Sequence, residues 1–133
     1  MPEPEPATLR IADAPLVVAP DGSDVRVLLR LAGGSMAHFT LAPGRVSRAV
    51  RHRTVSEIWF VLGGRGEMWR GAVDGGSVEV LEPGVCLTIP AGTPFQFRSL
   101  GEEPLTAVAI TMPPWPGDDE AIPVDGYPPW GGA

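Results

Sequence analysis

From Val25 onward the chain falls into short β-type runs separated by Gly, Pro, Asp or Ser. The runs are Val25 to Leu31, Met36 to Ala42, Glu57 to Leu62, Gly66 to Arg70, Ser77 to Leu81, Val85 to Ile89, Pro94 to Arg98 and Leu105 to Met112. The breaks carry turn chemistry: AGGS at Ala32 to Ser35, APG at Ala42 to Gly44, DGG at Asp74 to Gly76, EPG at Glu82 to Gly84 and PAGTP at Pro90 to Pro94. GGRG at Gly63 to Gly66 lacks a phosphate-loop lysine and a following helix, so it also reads as a strand-to-strand turn. No segment keeps a helical period for long. Strands so regularly spaced predict an all-β sandwich or closed barrel.

Either side of the barrel the pattern changes. Residues 1–24 read as an extension whose first residues, Met1 to Pro6, alternate Pro and Glu and bury too little apolar surface to become ordered. Residues 113–133 form a Pro-rich tail with Trp115, Tyr127 and Trp130, predicted to be extended with its aromatics on the barrel, residues 25–112, or on a neighbouring subunit.

Composition narrows the picture. A chain of 133 residues is one domain's worth, and 44% hydrophobic with 20% charged residues is globular. The net charge of -6, with arginine as the sole basic residue type, argues against nucleic acid and leaves no lysine for Schiff-base chemistry. A single cysteine, Cys86, rules out an internal disulfide and reads as a small hydrophobe in an apolar run. The start MPEPEPATLR has no secretory pattern and no apolar run approaches the roughly 18 residues of a membrane span, so the expectation is a soluble cytoplasmic protein without a membrane partner.

Chemistry concentrates around RHRTVSEIWFVLGGRG, Arg51 to Gly66. Side chains alternate along a strand, so Arg48, Val50 and His52 share one face, as do Glu57, Trp59 and Val61, and Phe95, Phe97 and Ser99. Turned inward, these faces make an apolar pocket with a few orienting polar groups, suited to a small organic anion with an apolar body. In that reading Arg48 anchors the anion, Trp59, Phe95 and Phe97 form the walls, and His52 and Glu57 act as general acid and base, with burial shifting both pKa values. The plainer reading stands beside it: the aromatics fill a core, the arginines from Arg45 to Arg53 form a solvated surface, and His52 is hydrogen-bonded to Glu57.

The spacing makes the stretch more specific. Gly44 is followed by five residues and Val50, one and His52, four and Glu57, six and Gly64. Gly84 is followed by five residues and Pro90-Ala91-Gly92, two and Phe95, three and Ser99. The two segments resemble the paired motifs of the cupin family. That resemblance implies a double-stranded β-helix, or jelly-roll, barrel that often pairs into homodimers. It also implies a divalent-metal site built from two His and a Glu of the first motif and a His of the second. Here Val50 and Phe95 stand at two of the four ligand positions, and Ser99 replaces the second motif's terminal Asn. Zn, Fe, Mn or Ni would be held weakly by His52 and Glu57 alone, with His38, which shares a strand face with Met36 and Thr40, as the candidate third ligand. Three functions stay open: an enzyme of isomerase, cyclase, lyase, decarboxylase or dioxygenase type, a metal-free small-molecule binding module, or an accessory dimeric protein without catalysis.

Overall fold

Antiparallel pairing joins all eight runs read from the sequence, each within two residues of its expected ends. The computed structural model describes residues 3–72, 75–125 and 129–131, so Met1, Asp74 and Tyr127 lie outside the described residues. In chain order the strands are β1 (Leu16–Val18), β2 (Asp24–Leu31), β3 (Gly34–Leu41), β4 (Val50–His52), β5 (Ser56–Gly63), β6 (Gly66–Arg70), β7 (Ser77–Leu81), β8 (Cys86–Ile89), β9 (Phe95–Ser99), β10 (Leu105–Met112) and β11 (Ala121–Pro123). One sheet has the order β1-β2-β3-β10-β5-β8 and the other β11-β4-β9-β6-β7. Two facing antiparallel sheets with this crossing order form the expected double-stranded β-helix.

Alternation on β5 and β10 sets the interior. Glu57, Trp59 and Val61 point inward and are buried, while Ile58, Phe60 and Leu62 point outward and are exposed. Across the ladder, Trp59 faces Ala109 and Val61 faces Ala107. The small partners leave room for the indole, which the interior needs to pack at crystal-like density. Met68, Leu81, Phe97 and Leu105 belong to the same core, each large apolar side chain contributing roughly 1.5–3 kcal/mol by leaving water. Cys86 sits opposite Phe60 on the exposed face of this sheet, not in the core.

The β5–β6 turn shows why glycine is needed in GGRG. Gly64 has φ +77°, and a Cβ there would lie 2.3 Å from the Pro104 carbonyl oxygen. Only glycine meets both conditions.

The strands absent from the sequence reading, β1, β4 and β11, have three residues each, too few to display a period. β1 pairs with β2, and β11 pairs with β4, so segments before and after the barrel pattern extend its sheets. The Glu3 carboxylate accepts a hydrogen bond from the Ala32 N–H at 2.8 Å. At the other end the buried Gln96 side chain accepts from the Trp130 N–H at 3.2 Å and donates to the Gly131 carbonyl at 2.7 Å, while the Arg98 guanidinium lies 4.3 Å from the centre of the Trp130 ring.

Candidate functional site

His52 ends β4 and Glu57 is the second residue of β5, so the turn at 53–55 decides whether they meet. Glu120 holds that turn. Its carboxylate accepts hydrogen bonds from the Thr54 N–H (2.7 Å), the Thr54 hydroxyl (2.8 Å) and the Val55 N–H (2.8 Å), and its carbonyl accepts from the Arg53 N–H (3.0 Å). Burial works against its ionisation, but these donors, with His52 nearby, outweigh it and hold the carboxyl below its ordinary value.

The turn brings His52 Nδ1 to 3.8 Å from Glu57 Oε2, both side chains buried. This is too long for a hydrogen bond, and Nδ1 has no partner among the described residues. The direct His52–Glu57 hydrogen bond entertained from the sequence is therefore not formed. Glu57 Oε1 instead accepts from the Trp59 indole Nε1 at 2.7 Å. The imidazole is wedged edge-on between Phe95 (5.2 Å between ring centres) and Trp115 (5.0 Å).

This environment drives the two pKa values past each other. Burial raises Glu57 to about 7, opposed by the Trp59 hydrogen bond and reinforced by the charge of Asp21. Burial lowers His52 to about 4, partly opposed by the charge of Glu120. Near neutral pH the histidine is neutral and the carboxyl is divided between its acid and its base form.

The pair lies in the wall of a cavity of about 170 Å³ whose other walls are mainly apolar, among them Val17, Val25, Val27, Leu28, Phe39 and Val50. Asp21 also borders it, buried, with Oδ1 accepting from the Ser23 N–H (2.9 Å) and hydroxyl (2.6 Å). Burial raises its pKa against those bonds and the charge of Arg48. Ser35 and Thr111 contribute hydroxyls that hydrogen-bond to each other, and Ser35 Oγ accepts from the Trp115 N–H at 3.0 Å. That bond fixes the tail segment carrying the indole over His52.

Of the residues expected at the site, His52, Glu57 and Phe95 border the cavity. Trp59 and Phe97 do not: Trp59 stacks on Phe39 and meets Phe97 edge-on, both at 5.0 Å, as packing behind Glu57. Arg48 is exposed while its neighbours Ser47 and Ala49 are buried. The face-sharing assumed for Arg48, Val50 and His52 fails because β4 begins only at Val50, so Arg48 is not placed to anchor a ligand in the cavity. His38 sits between Arg26 and Val108, whereas its neighbours Ala37 and Phe39 border the cavity, so alternation turns its imidazole to the other face. It does not join His52 and Glu57.

The sequence reading did not single out Asp21, Arg30, Ser35, Thr111 and Glu120. Asp21 carried a usable signal, since an Asp whose carboxylate takes the N–H two residues on is an Asx-turn and Asp-Gly-Ser suits it. The others are brought in by register and by the tail.

The metal centre implied by the motif pattern does not fit these residues. Two of its four positions are the apolar Val50 and Phe95, which are paired across β4 and β9. Among the described residues no group of three or more His, Cys, Asp or Glu is arranged to hold a metal ion. Two protein donors fall short of the three or four that such sites normally use.

A family model for the cupin domain matches residues 37–111. An uncharacterized protein of Methanocaldococcus jannaschii, MJ1618, is 30% identical over 110 residues, covering 79% of this chain and 85% of its own. A Klebsiella pneumoniae protein with a double-stranded β-helix domain superposes with a TM-score of 0.69 at 18% identity, over 92% of this chain and all (100%) of its own. Pac13 of Streptomyces, solved with uridine, superposes with a TM-score of 0.71 at 12% identity over 90% of each chain, and a further structure of it names it a nucleoside dehydratase.

Proposed function

The chain belongs to the cupin-domain family, and from that premise we propose that it binds a small metabolite in its barrel and moves a proton on it without a metal ion. The observation that carries this reading is the buried, unbonded approach of His52 Nδ1 to Glu57 Oε2 in the wall of an apolar cavity. A carboxyl poised near neutrality can take a proton from a substrate carbon in its basic form and return one in its acid form, which is the requirement for isomerisation. In an elimination, the same carboxylate takes the carbon-bound proton as the double bond forms, and the departing hydroxyl leaves as water with a proton delivered from the site. A nucleoside dehydratase on the same fold supports this second class.

His52 stays neutral beside the carboxyl at 3.8 Å, so it adds no positive charge that would pull the Glu57 proton off, and its unpartnered Nδ1 is left free for a polar group of the substrate. Phe95 and Trp115 hold the ring and exclude water, which keeps the pair from being solvated apart. Val50 and Phe95 stand where metal ligands would be expected, and their apolar side chains suit an organic occupant.

The test combines metal analysis with turnover. Purified protein treated with chelator is incubated in D2O with a panel of hydroxylated carbonyl compounds, and products are weighed by mass spectrometry. Uptake of one deuterium or loss of water, abolished in Glu57→Gln, is the expected result. Stoichiometric metal in the wild type that disappears in His52→Ala would overturn the metal-free reading, and a retained small molecule without turnover would leave a binding module.

The exposed apolar stripe of Ile58, Phe60 and Leu62 on β5, continued by Ile110 on β10 and Met36 on β3, supports a second copy of the chain as partner.

A further inference from the structure

We propose that Arg30 anchors an oxyanion, a carboxylate or phosphate group, on the substrate and thereby fixes its direction in the barrel. This inference rests on the small-molecule reading above and adds the substrate's chemical class.

A β-bulge delivers the cation. Along β2, Val25 and Val27 border the cavity and Arg26 turns away, its guanidinium donating to the Ala14 carbonyl at 3.1 Å. Unbroken alternation would send Arg30 the same way as Arg26. The ladder with β3, however, passes from Val27↔Ala37 to Arg30↔Ser35, so Leu28 and Leu29 stand opposite Met36 alone. An extra residue inverts the alternation beyond it. Leu28 and Arg30 accordingly border the cavity.

Register then connects Arg30 to the reactive pair. Arg30 is the partner of Ser35 on β3, Ser35 of Thr111 on β10, and Thr111 of Glu57 on β5. The four form one row across four neighbouring strands. At about 4.8 Å per strand the row spans about 14 Å between the backbones of Arg30 and Glu57. Arg30 stands at its outer end and Glu57 at its inner end, beside His52.

Charge along the row selects a ligand direction. The inner end carries Glu57 and Asp21, both buried, which repel an anion. Arg30 is the one arginine bordering the cavity, it is exposed at the rim, and among the described residues its guanidinium has no hydrogen bond or ion pair, including none with Asp118, the other charged rim residue. A guanidinium offers a planar pair of donors matched to carboxylate and phosphate oxygens. The apolar walls between accept an uncharged body. A ligand with its oxyanion outward at Arg30 and its neutral, proton-exchanging end inward at Glu57 meets both ends of the row with the right partner.

The experiment compares benzoate and phenyl phosphate with uncharged benzamide on the full chain, following the Trp115 indole and His52 ring signals by NMR. The expected result is that at least one anion binds about tenfold more tightly than benzamide. Arg30→Gln should remove that preference without weakening benzamide, and Arg30→Lys should retain part of it. Preference for one anion alone names the carboxylate or the phosphate class. If the anions bind Arg30→Gln as well as wild type, or no better than benzamide, the Arg30 inference is wrong while the pocket stands. If none of the three probes moves either signal, the small-molecule reading itself fails, and this one with it.

Discussion

Trp59 and Glu57, two residues apart on one face of β5, are joined by a 2.7 Å hydrogen bond from the indole Nε1 to the carboxylate Oε1. The indole is clamped by Phe39 and Phe97, so it presents a fixed donor to a carboxyl that burial would otherwise leave unsupported. Trp59 therefore positions the Glu57 carboxyl from behind, and its substitution should be felt at Glu57 before it is felt by any ligand. Trp59→Phe should raise the Glu57 pKa above about 7 and destabilise the fold by about 1–3 kcal/mol, from the lost hydrogen bond and the space left. Carboxyl-carbon NMR titration and urea unfolding measure the two effects.

The Glu57 and His52 pKa values predict opposing pH dependences of stability. Glu57 titrates at about 7 folded against 4.5 unfolded, so the native state holds the extra proton and stability falls as pH rises through that window. His52 titrates at about 4 folded against 6.5 unfolded, so the unfolded state holds the extra proton and stability rises with pH between those values. The contributions largely cancel from about pH 4.5 to 6.5. Relative to wild type, Glu57→Gln should become more stable as pH climbs from 4.5 to 7, and His52→Gln more stable as pH drops from 6.5 to 4. Each change should be on the order of 1–3 kcal/mol. Parallel curves for wild type and both variants in denaturant titrations across pH would refute the assignment.

Restoring the missing ligands should create the metal site. Val50 and Phe95 are paired neighbours across β4 and β9, next to His52 and Glu57. Val50→His with Phe95→His should bind one equivalent of Zn or Ni, against far less than one for wild type, measured by elemental analysis after dialysis.

Removing the Glu120 carboxylate should loosen the turn that brings the pair together. Glu120→Ala leaves the N–H groups of Thr54 and Val55 without their acceptor, an expected loss of about 1–3 kcal/mol. Without the Glu120 charge the His52 pKa should fall further below about 4. Thermal unfolding and imidazole NMR report these separately, and an unchanged melting temperature would argue against the role given to Glu120.

The exposed stripe predicts a homodimer. Phe60→Glu introduces a charge at its centre and should convert a dimer to a monomer in light scattering, without altering the Trp115 and His52 signals inside the barrel. A wild type that is monomeric at high concentration would remove the second copy from the proposal.

Much of this molecule was legible in the order of its residues. The runs between turn residues marked eight strands, because alternation and punctuation are local properties of the chain. The spacing from Gly44 to Gly64 and from Gly84 to Ser99 pointed to the barrel and placed His52 and Glu57 beside a pocket. The same spacing showed Val50 and Phe95 at ligand positions. Faces were less secure. Alternation carried back from His52 put Arg48 inside, but it holds only where a strand is paired, and β4 starts at Val50. His38 had a known strand and an unknown face until Phe39 stacked on Trp59.

Sequence alone thus determined eight strands, the family and the placing of His52 and Glu57 beside a pocket, each set by neighbours along the chain or by fixed spacing. Tertiary structure alone decided that Arg30 replaces Arg48 at the cavity and that Glu120 closes the His52–Glu57 turn. It also set Ser35, Thr111 and Glu57 in one row. The physical reason is that a one-residue bulge inverts a face, and strand register joins residues far apart in sequence, neither of which leaves a periodic trace.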